Sequence, residues 1–272
     1  MSNNNKSYKK SNFGGAFFFL PKRKKEALGV IYAFCRLADD TVDENYPDAP
    51  ARLNALYAEI DLVFSGNPQT CLGKDLQAAV RDFNIPKQYF TDLLDGMAQD
   101  LQPKVRCQNA AEQQLYMYRV AGTVGLMCLY VFGYKNSQSE EYARTLGNAV
   151  QLTNILRDAV ADAKINRIYI ALDEMQKYGV KEEDLLSLNQ TPQLKALLAA
   201  QAAKAQEYYN QARALLPKED FKAMLAARAM GNIYEGILKK FIFNGCSLSG
   251  KKIKLSKLEK LLILFKTWRE KQ

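Results

Sequence analysis

The sequence predicts an all-α fold, and three observations carry that expectation. Apolar residues recur at three- and four-residue intervals through most of the 272 residues. No run of strand length alternates apolar with polar residues. The breaks between periodic runs hold helix-opening prolines, Pro21, Pro86 and Pro217, or loop residues such as Ser65-Gly66-Asn67-Pro68.

Taken in order, residues 1–10 are polar and read as flexible. Residues 11–20 are rich in phenylalanine, with Phe13, Phe17, Phe18 and Phe19 suited to core packing. Pro21 is placed to open a helix over 22–44, because the missing N–H has no partner in the first turn anyway. Helical patterns follow over 52–64, 74–83 and 87–101, the last with Asp95 and Asp100 flanking Met97. Residues 111–134 form a long run with little charge, in which Tyr116, Val120, Ala121, Val124, Gly125 and Cys128 share a face. Gly122 and Gly125 each cost a helix interior about 1 kcal/mol relative to Ala, so close approach of another helix or of a ligand must offset them. Residues 140–173 carry a polar stripe. An alanine-rich helix over 193–215 and further helices over 221–243 and 256–269 complete the chain, the last amphipathic through Leu258, Leu261, Leu262, Phe265 and Trp268. No linker-like run divides the chain, so one domain over 1–272 is expected, with 48% apolar residues to fill its core.

Composition excludes several chemistries. With no histidine and five scattered cysteines lacking CxxC spacing, zinc sites and Ser-His or Cys-His catalysis are ruled out. Free thiols fit a reducing cytoplasm. No apolar run reaches the length of a membrane span, and Phe17–Leu20 is too short for a signal peptide. The net charge of +9 is concentrated at the two ends, where lysines dominate. No nucleic-acid-binding motif accompanies it, so nucleic acid is not expected as a partner. The excess fits a polyphosphate substrate, or peripheral contact of a cytoplasmic protein with the anionic inner face of a membrane, with solvated ends as the alternative.

Two stripes carry the chemistry. Gln151, Asn154, Asp158 and Asp162 follow each other in steps of three and four within an otherwise apolar helix. Earlier, Tyr32, Arg36, Asp39 or Asp40, and Asp43 share a face by the same spacing. Facing carboxylates cannot sit in a core unpaired. Hard divalent cations such as Mg²⁺ suit their oxygens and share their shells with phosphate and water.

At LPKRKKEALGVIYAFCRLADDTVDE, GMAQDL, YRVAGTVGLM, QLTNILRDAVADAKINRIYI and ARAMGNIYEGIL the chain resembles the squalene/phytoene synthase family, in that family's order and spacing, over about residues 13–268. Within it the likeness is to bacterial members that make presqualene diphosphate in the hopanoid pathway. The resemblance implies a helical bundle of the isoprenoid synthase type around a central apolar cavity. It implies Mg²⁺-dependent (alternatively Mn²⁺-dependent) head-to-head condensation of two farnesyl diphosphates to presqualene diphosphate, a step that needs no NADPH. Phytoene, dehydrosqualene and squalene synthases of the same family are the alternatives. A non-catalytic relative would be expected to have lost carboxylates that this chain keeps.

By the same resemblance Asp39, Asp43, Asp158 and Asp162, with Asn154, hold metal, and Asp40 shares in this. Arg36, Arg157, Arg167 and Lys251 meet phosphate, and Gln151 orients the clamp. Val124, Gly125 and Cys128 line the prenyl tunnel. Phe13, Tyr32, Tyr116 and Tyr234 offer aromatic faces to a carbocation, with core packing as the alternative for Tyr234. Oligomeric state has no signal in the sequence.

Overall fold

A computed structural model describes residues 20–44, 46–186, 190–248 and 252–270. Phe13 and Lys251 therefore lie outside the described residues. The architecture is all-α, as expected. Its helices are α1 (Lys22–Asp43), α2 (Ala49–Ser65), α3 (Cys71–Phe83), α4 (Lys87–Asp100), α5 (Ala110–Met117), α6 (Thr123–Phe132), α7 (Gln138–Lys164), α8 (Leu172–Lys177), α9 (Glu182–Leu186), α10 (Pro192–Leu215), α11 (Leu225–Phe243) and α12 (Lys257–Arg269).

Local chemistry sets several of the boundaries. Thr70, Asn109, Thr191 and Ser256 each accept a hydrogen bond from a first-turn N–H, and Ser256 completes a reciprocal capping box with Glu259. α2 ends where Gly66 turns left-handed at φ 94°. The helix expected over 221–243 begins later, at Leu225, behind a 3₁₀ turn at Lys218–Asp220. Buried Asp220 accepts hydrogen bonds from the backbone of Lys135 and Asn136 and from Ser139 Oγ, so this turn caps the start of α7 instead of continuing α11.

Three features depart from the sequence reading. First, Val105–Arg106 (β1) and Arg167–Ile168 (β2) form a parallel two-residue ladder with Val105 opposite Arg167. Two residues are too short to show alternation, and the pairing exists because the ends of α4 and α7 lie side by side.

Second, the run expected as one helix over 111–134 is α5 and α6 joined by a π-helical turn at Tyr118–Gly122. That turn faces Gly147 on α7, where an added Cβ would lie 2.7 Å from Gly122 Cα and 2.8 Å from Ala121 O. Third, Ala110–Phe132 is long and apolar enough, by length and composition, to cross a membrane, contrary to the sequence reading. Here it packs between α4 and α7 as an interior wall.

Among the described residues the core has two clusters. One gathers α7, α10 and α11, the other α1 to α4 with α6. Val120, Leu146 and Leu264 pack against both, so the clusters meet around the π-helical turn and α7.

Candidate active site

Between α1, the α5–α6 wall, α7 and α11 lies a cavity of about 760 Å³, within the usual range for small-molecule sites. Its lining changes character along each wall. On α1 it runs from Leu28 and Ile31 through Tyr32, Cys35 and Arg36 to Asp39 and Asp43. At 1.5 Å rise per residue that is about 22 Å from apolar to acidic. On α7 it runs from Tyr142, Leu146 and Val150 to Gln151, Asn154, Asp158 and Asp162. Phe132, Leu129, Cys128, Gly125 and Val124 line the α6 wall, and Tyr116 on α5 reaches the acidic end.

That acidic end is crowded with charge. Arg36 donates to Asp39 Oδ2 at 3.0 Å and also pairs with Asp40. Arg167 pairs with Asp43 and donates to the carbonyls of Val42 and Asp100. Asp158 receives Arg157 Nε at 3.0 Å and Lys252 Nζ at 3.1 Å. Partial burial and the neighbouring Asp43 push Asp39 up to about 6. Burial and the Asp158 charge push Asp162 up to about 7. Burial would raise Asp158 as well, but Arg157 and Lys252 outweigh it and hold that carboxyl below its ordinary value. Asp39 and Asp43 from α1 and Asp158 and Asp162 from α7 line the same cavity, and the Arg167 charge opposes the rise of both Asp39 and Asp162.

The donors fit a hard divalent cation. All are oxygens, and the Asn154 side-chain carbonyl, on the same stripe as Asp158, is buried with no hydrogen-bond partner. Among the described residues no three carboxylate or thiol side chains converge tightly enough to hold an ion by themselves. Such a rim suits Mg²⁺ whose shell is completed by phosphate and water.

Beside the rim, Asp100 is 7% exposed and accepts hydrogen bonds from Tyr116 Oη at 3.0 Å and Tyr169 Oη at 2.8 Å. The two rings stack at 4.5 Å. Burial pushes Asp100 up to about 6, against the opposing pull of the two phenols and Arg167. The folded protein thus binds this proton more tightly than the unfolded chain. Its contribution to stability is full below about pH 4 and is lost as pH rises through about 6. Asp100→Asn should remove that dependence. Urea unfolding at pH 4.5 and 7 should show the wild-type-minus-variant difference changing by on the order of 2 kcal/mol. An equal difference at both pH values would refute the buried-proton account.

Of the residues anticipated from sequence, Tyr32, Arg36, Asp39, Asp43, Tyr116, Val124, Gly125, Cys128, Gln151, Asn154, Arg157, Asp158, Asp162, Arg167 and Tyr234 line this one cavity. Burial opposes the Arg157 guanidinium charge, but Asp158 chiefly, and then the neighbouring Tyr234, outweigh it. Asp40 is not in the lining; it pairs with Arg36 beside the rim. Gly125 serves two ends, since an added Cβ would also lie 2.8 Å from Ala143 O on α7. Gly122 serves helix packing and is not in the lining.

The lysine that reaches the rim within the described residues is Lys252. Lys251, the position the family resemblance points to, lies outside the described residues, and no periodicity in 252–256 marks Lys252 from sequence. Tyr169, noted only as following the stripe, has its place fixed by a contact with Asp100 that spans 69 residues.

A profile of the family Squalene/phytoene synthase matches residues 7–259. The presqualene diphosphate synthase of Rhodopseudomonas palustris is 31% identical over 93% of this chain and 91% of its own. The phytoene synthase of Thermus thermophilus is 36% identical over 93% of this chain and 86% of its own. Among solved structures, a dehydrosqualene synthase in complex with ligand superposes with a TM-score of 0.88 at 30% identity, covering 97% of this chain and 94% of that one.

Proposed function

The chain belongs to the squalene/phytoene synthase family of head-to-head prenyltransferases, and from that premise we propose that it joins two farnesyl diphosphates into presqualene diphosphate. The observation that carries this reading is the graded cavity. Its two long helical walls pass from apolar to acidic in parallel, matching a ligand with a long hydrocarbon tail and a polyanionic head. The walls come from helices spread between α1 and α11, which supports reading the chain as one prenyltransferase domain.

Asp39, Asp43, Asp158 and Asp162, with the Asn154 carbonyl, would hold Mg²⁺. The family typically depends on this ion, and when bound it neutralises charge gathering on a departing diphosphate. The side chains do the rest. Arg36, Arg157, Arg167 and Lys252, all paired with rim carboxylates, would meet diphosphate oxygens with their N–H donors.

Ionisation leaves an allylic cation at C1 of the first unit. Tyr32, Tyr116 and Tyr234 line the cavity and would steady that cation through their aromatic rings. Leu129, Leu146 and Val150 help keep water from it. The 2,3 double bond of the second farnesyl unit attacks C1, and proton loss closes the cyclopropane. The released diphosphate or a tyrosine–water pair takes that proton.

The 36% identity to a phytoene synthase supports a second reading, in which two C20 diphosphates give phytoene by the same chemistry. Incubation with C15 and C20 diphosphates, with and without NADPH, separates the two. Presqualene diphosphate from the C15 substrate without NADPH is the expected result. Turnover of the C20 substrate alone would establish the second reading, and turnover of neither would overturn both.

A further inference from the structure

α12 is apolar on two opposite faces. Ile263, Leu264 and Thr267 pack inward against the protein. Leu258, Leu261, Leu262, Phe265 and Trp268 form a second stripe pointing outward, each between 53% and 66% exposed. Their spacing of three, one, three and three places them within roughly a third of the helix circumference. Phe265 and Trp268 rings lie 6.2 Å apart. Close by, Phe243 at the end of α11 is 90% exposed, one turn beyond Lys240, whose ammonium reaches the Lys254 carbonyl and Glu259 at the start of α12.

A stripe of five large exposed apolar side chains is not a random surface. With side chains of roughly 150–250 Å² it amounts to on the order of 500 Å², short of the roughly 800 Å² per partner that a stable protein interface buries. The charges around it are basic. Exposed Lys257 and Lys266 lie on opposite flanks of the stripe, and Arg269 follows Trp268, its guanidinium over the Phe265 ring. A twofold partner copy would bring these like charges together. An anionic surface would meet them favourably, with the lysine stems lying along the apolar edge and the heads among phosphates.

We propose that the outward face of α12 seats this protein on an anionic lipid surface, with the helix lying in the headgroup plane. The placement suits the cavity. Lys252, five residues before α12 begins, stands in the cavity rim at 3.1 Å from Asp158, so the lipid-facing helix starts close to the charged rim. Long-tailed ligands then exchange between cavity and bilayer without crossing water. The inference concerns a surface apart from the catalytic rim and stands whichever prenyl diphosphate is used.

Trp268 is the only tryptophan in the chain, so its fluorescence reports this helix alone. The full-length protein, titrated with vesicles of equal parts phosphatidylcholine and phosphatidylglycerol, should show a blue shift and co-float with them. Binding should weaken at least tenfold in pure phosphatidylcholine and at high salt. Leu261→Ser with Phe265→Ser should cut vesicle affinity at least tenfold, and Lys257→Glu with Lys266→Glu should remove the preference for phosphatidylglycerol. Both pairs should keep the helical circular dichroism and the detergent-phase turnover of the parent. Absence of co-flotation, or unchanged vesicle affinity in the serine pair, would overturn the proposal. So would a concentration-dependent dimer in lipid-free buffer that the serine pair abolishes, which would assign the face to a second copy of this chain.

Discussion

Asp158→Asn and, separately, Asp43→Asn should each lower diphosphate release by about three orders of magnitude, near 4 kcal/mol of lost transition-state stabilisation. The size follows from where the two carboxylates sit. Each lies at the acidic end of its wall, Asp43 against Arg167 and Asp158 between Arg157 and Lys252. An amide keeps the shape but supplies neither the negative charge nor a second equivalent oxygen. The double variant should be little worse than either single one, because groups that act as a unit are non-additive. Helical circular dichroism should be retained in all three. Pyrophosphate assays under saturating substrate and Mg²⁺ decide the matter. If both single variants kept more than a tenth of wild-type turnover, the acidic walls would have no part in ionisation.

Gly147→Ala should destabilise the fold by about 3 kcal/mol, the upper end for forcing a methyl into a packed core. At 272 residues that corresponds to a fall of about 6–10 °C in Tm. An added methyl would lie 2.7 Å from Gly122 Cα and 2.8 Å from both Gly122 N and Ala121 O, all backbone atoms of the neighbouring wall. No side chain can swing aside to relieve it, so α7 must move away from the α5–α6 wall. By contrast Gly231→Ala meets the Leu146 side chain at 2.8 Å, where a rotamer can give. The pair therefore forms an internal comparison. Urea unfolding of both should show the larger loss at Gly147, and equal losses would mean that the α7 contact is softer than its spacing indicates.

Much of this molecule is legible in its sequence where local chemistry decides the outcome. The helices opened by Pro21 and Pro86 begin at Lys22 and Lys87, because proline fixes the backbone angle of the residue before the first turn. The starts at Ala49 and Cys71 come three residues before the periodic pattern does, since Ala49-Pro50-Ala51 and Cys71-Leu72-Gly73 show no contrast between faces. Asp39, Asp43, Asp158 and Asp162 are readable because helical spacing puts each pair on one face, and that requires only local geometry.

What escapes is set by contacts between distant segments. β1 meets β2 across 62 residues, Tyr169 meets Asp100 across 69, and Lys252 reaches Asp158 from 94 positions away. No window of about 11–18 residues contains both partners of any of these pairs of distant segments.

The π-helical turn at Tyr118–Gly122 has a geometric outcome for the whole α5–α6 wall. Tyr116 and Phe132 both line the cavity though 16 positions separate them. On an uninterrupted α-helix, advancing about 100° per position, they would be rotated by about 160° from one another and point nearly back to back. One surplus position in the widened turn takes up about 100° of that drift and leaves about 60°. The phase slip thus lets a single rod present one continuous inner side from its tyrosine end to its phenylalanine end.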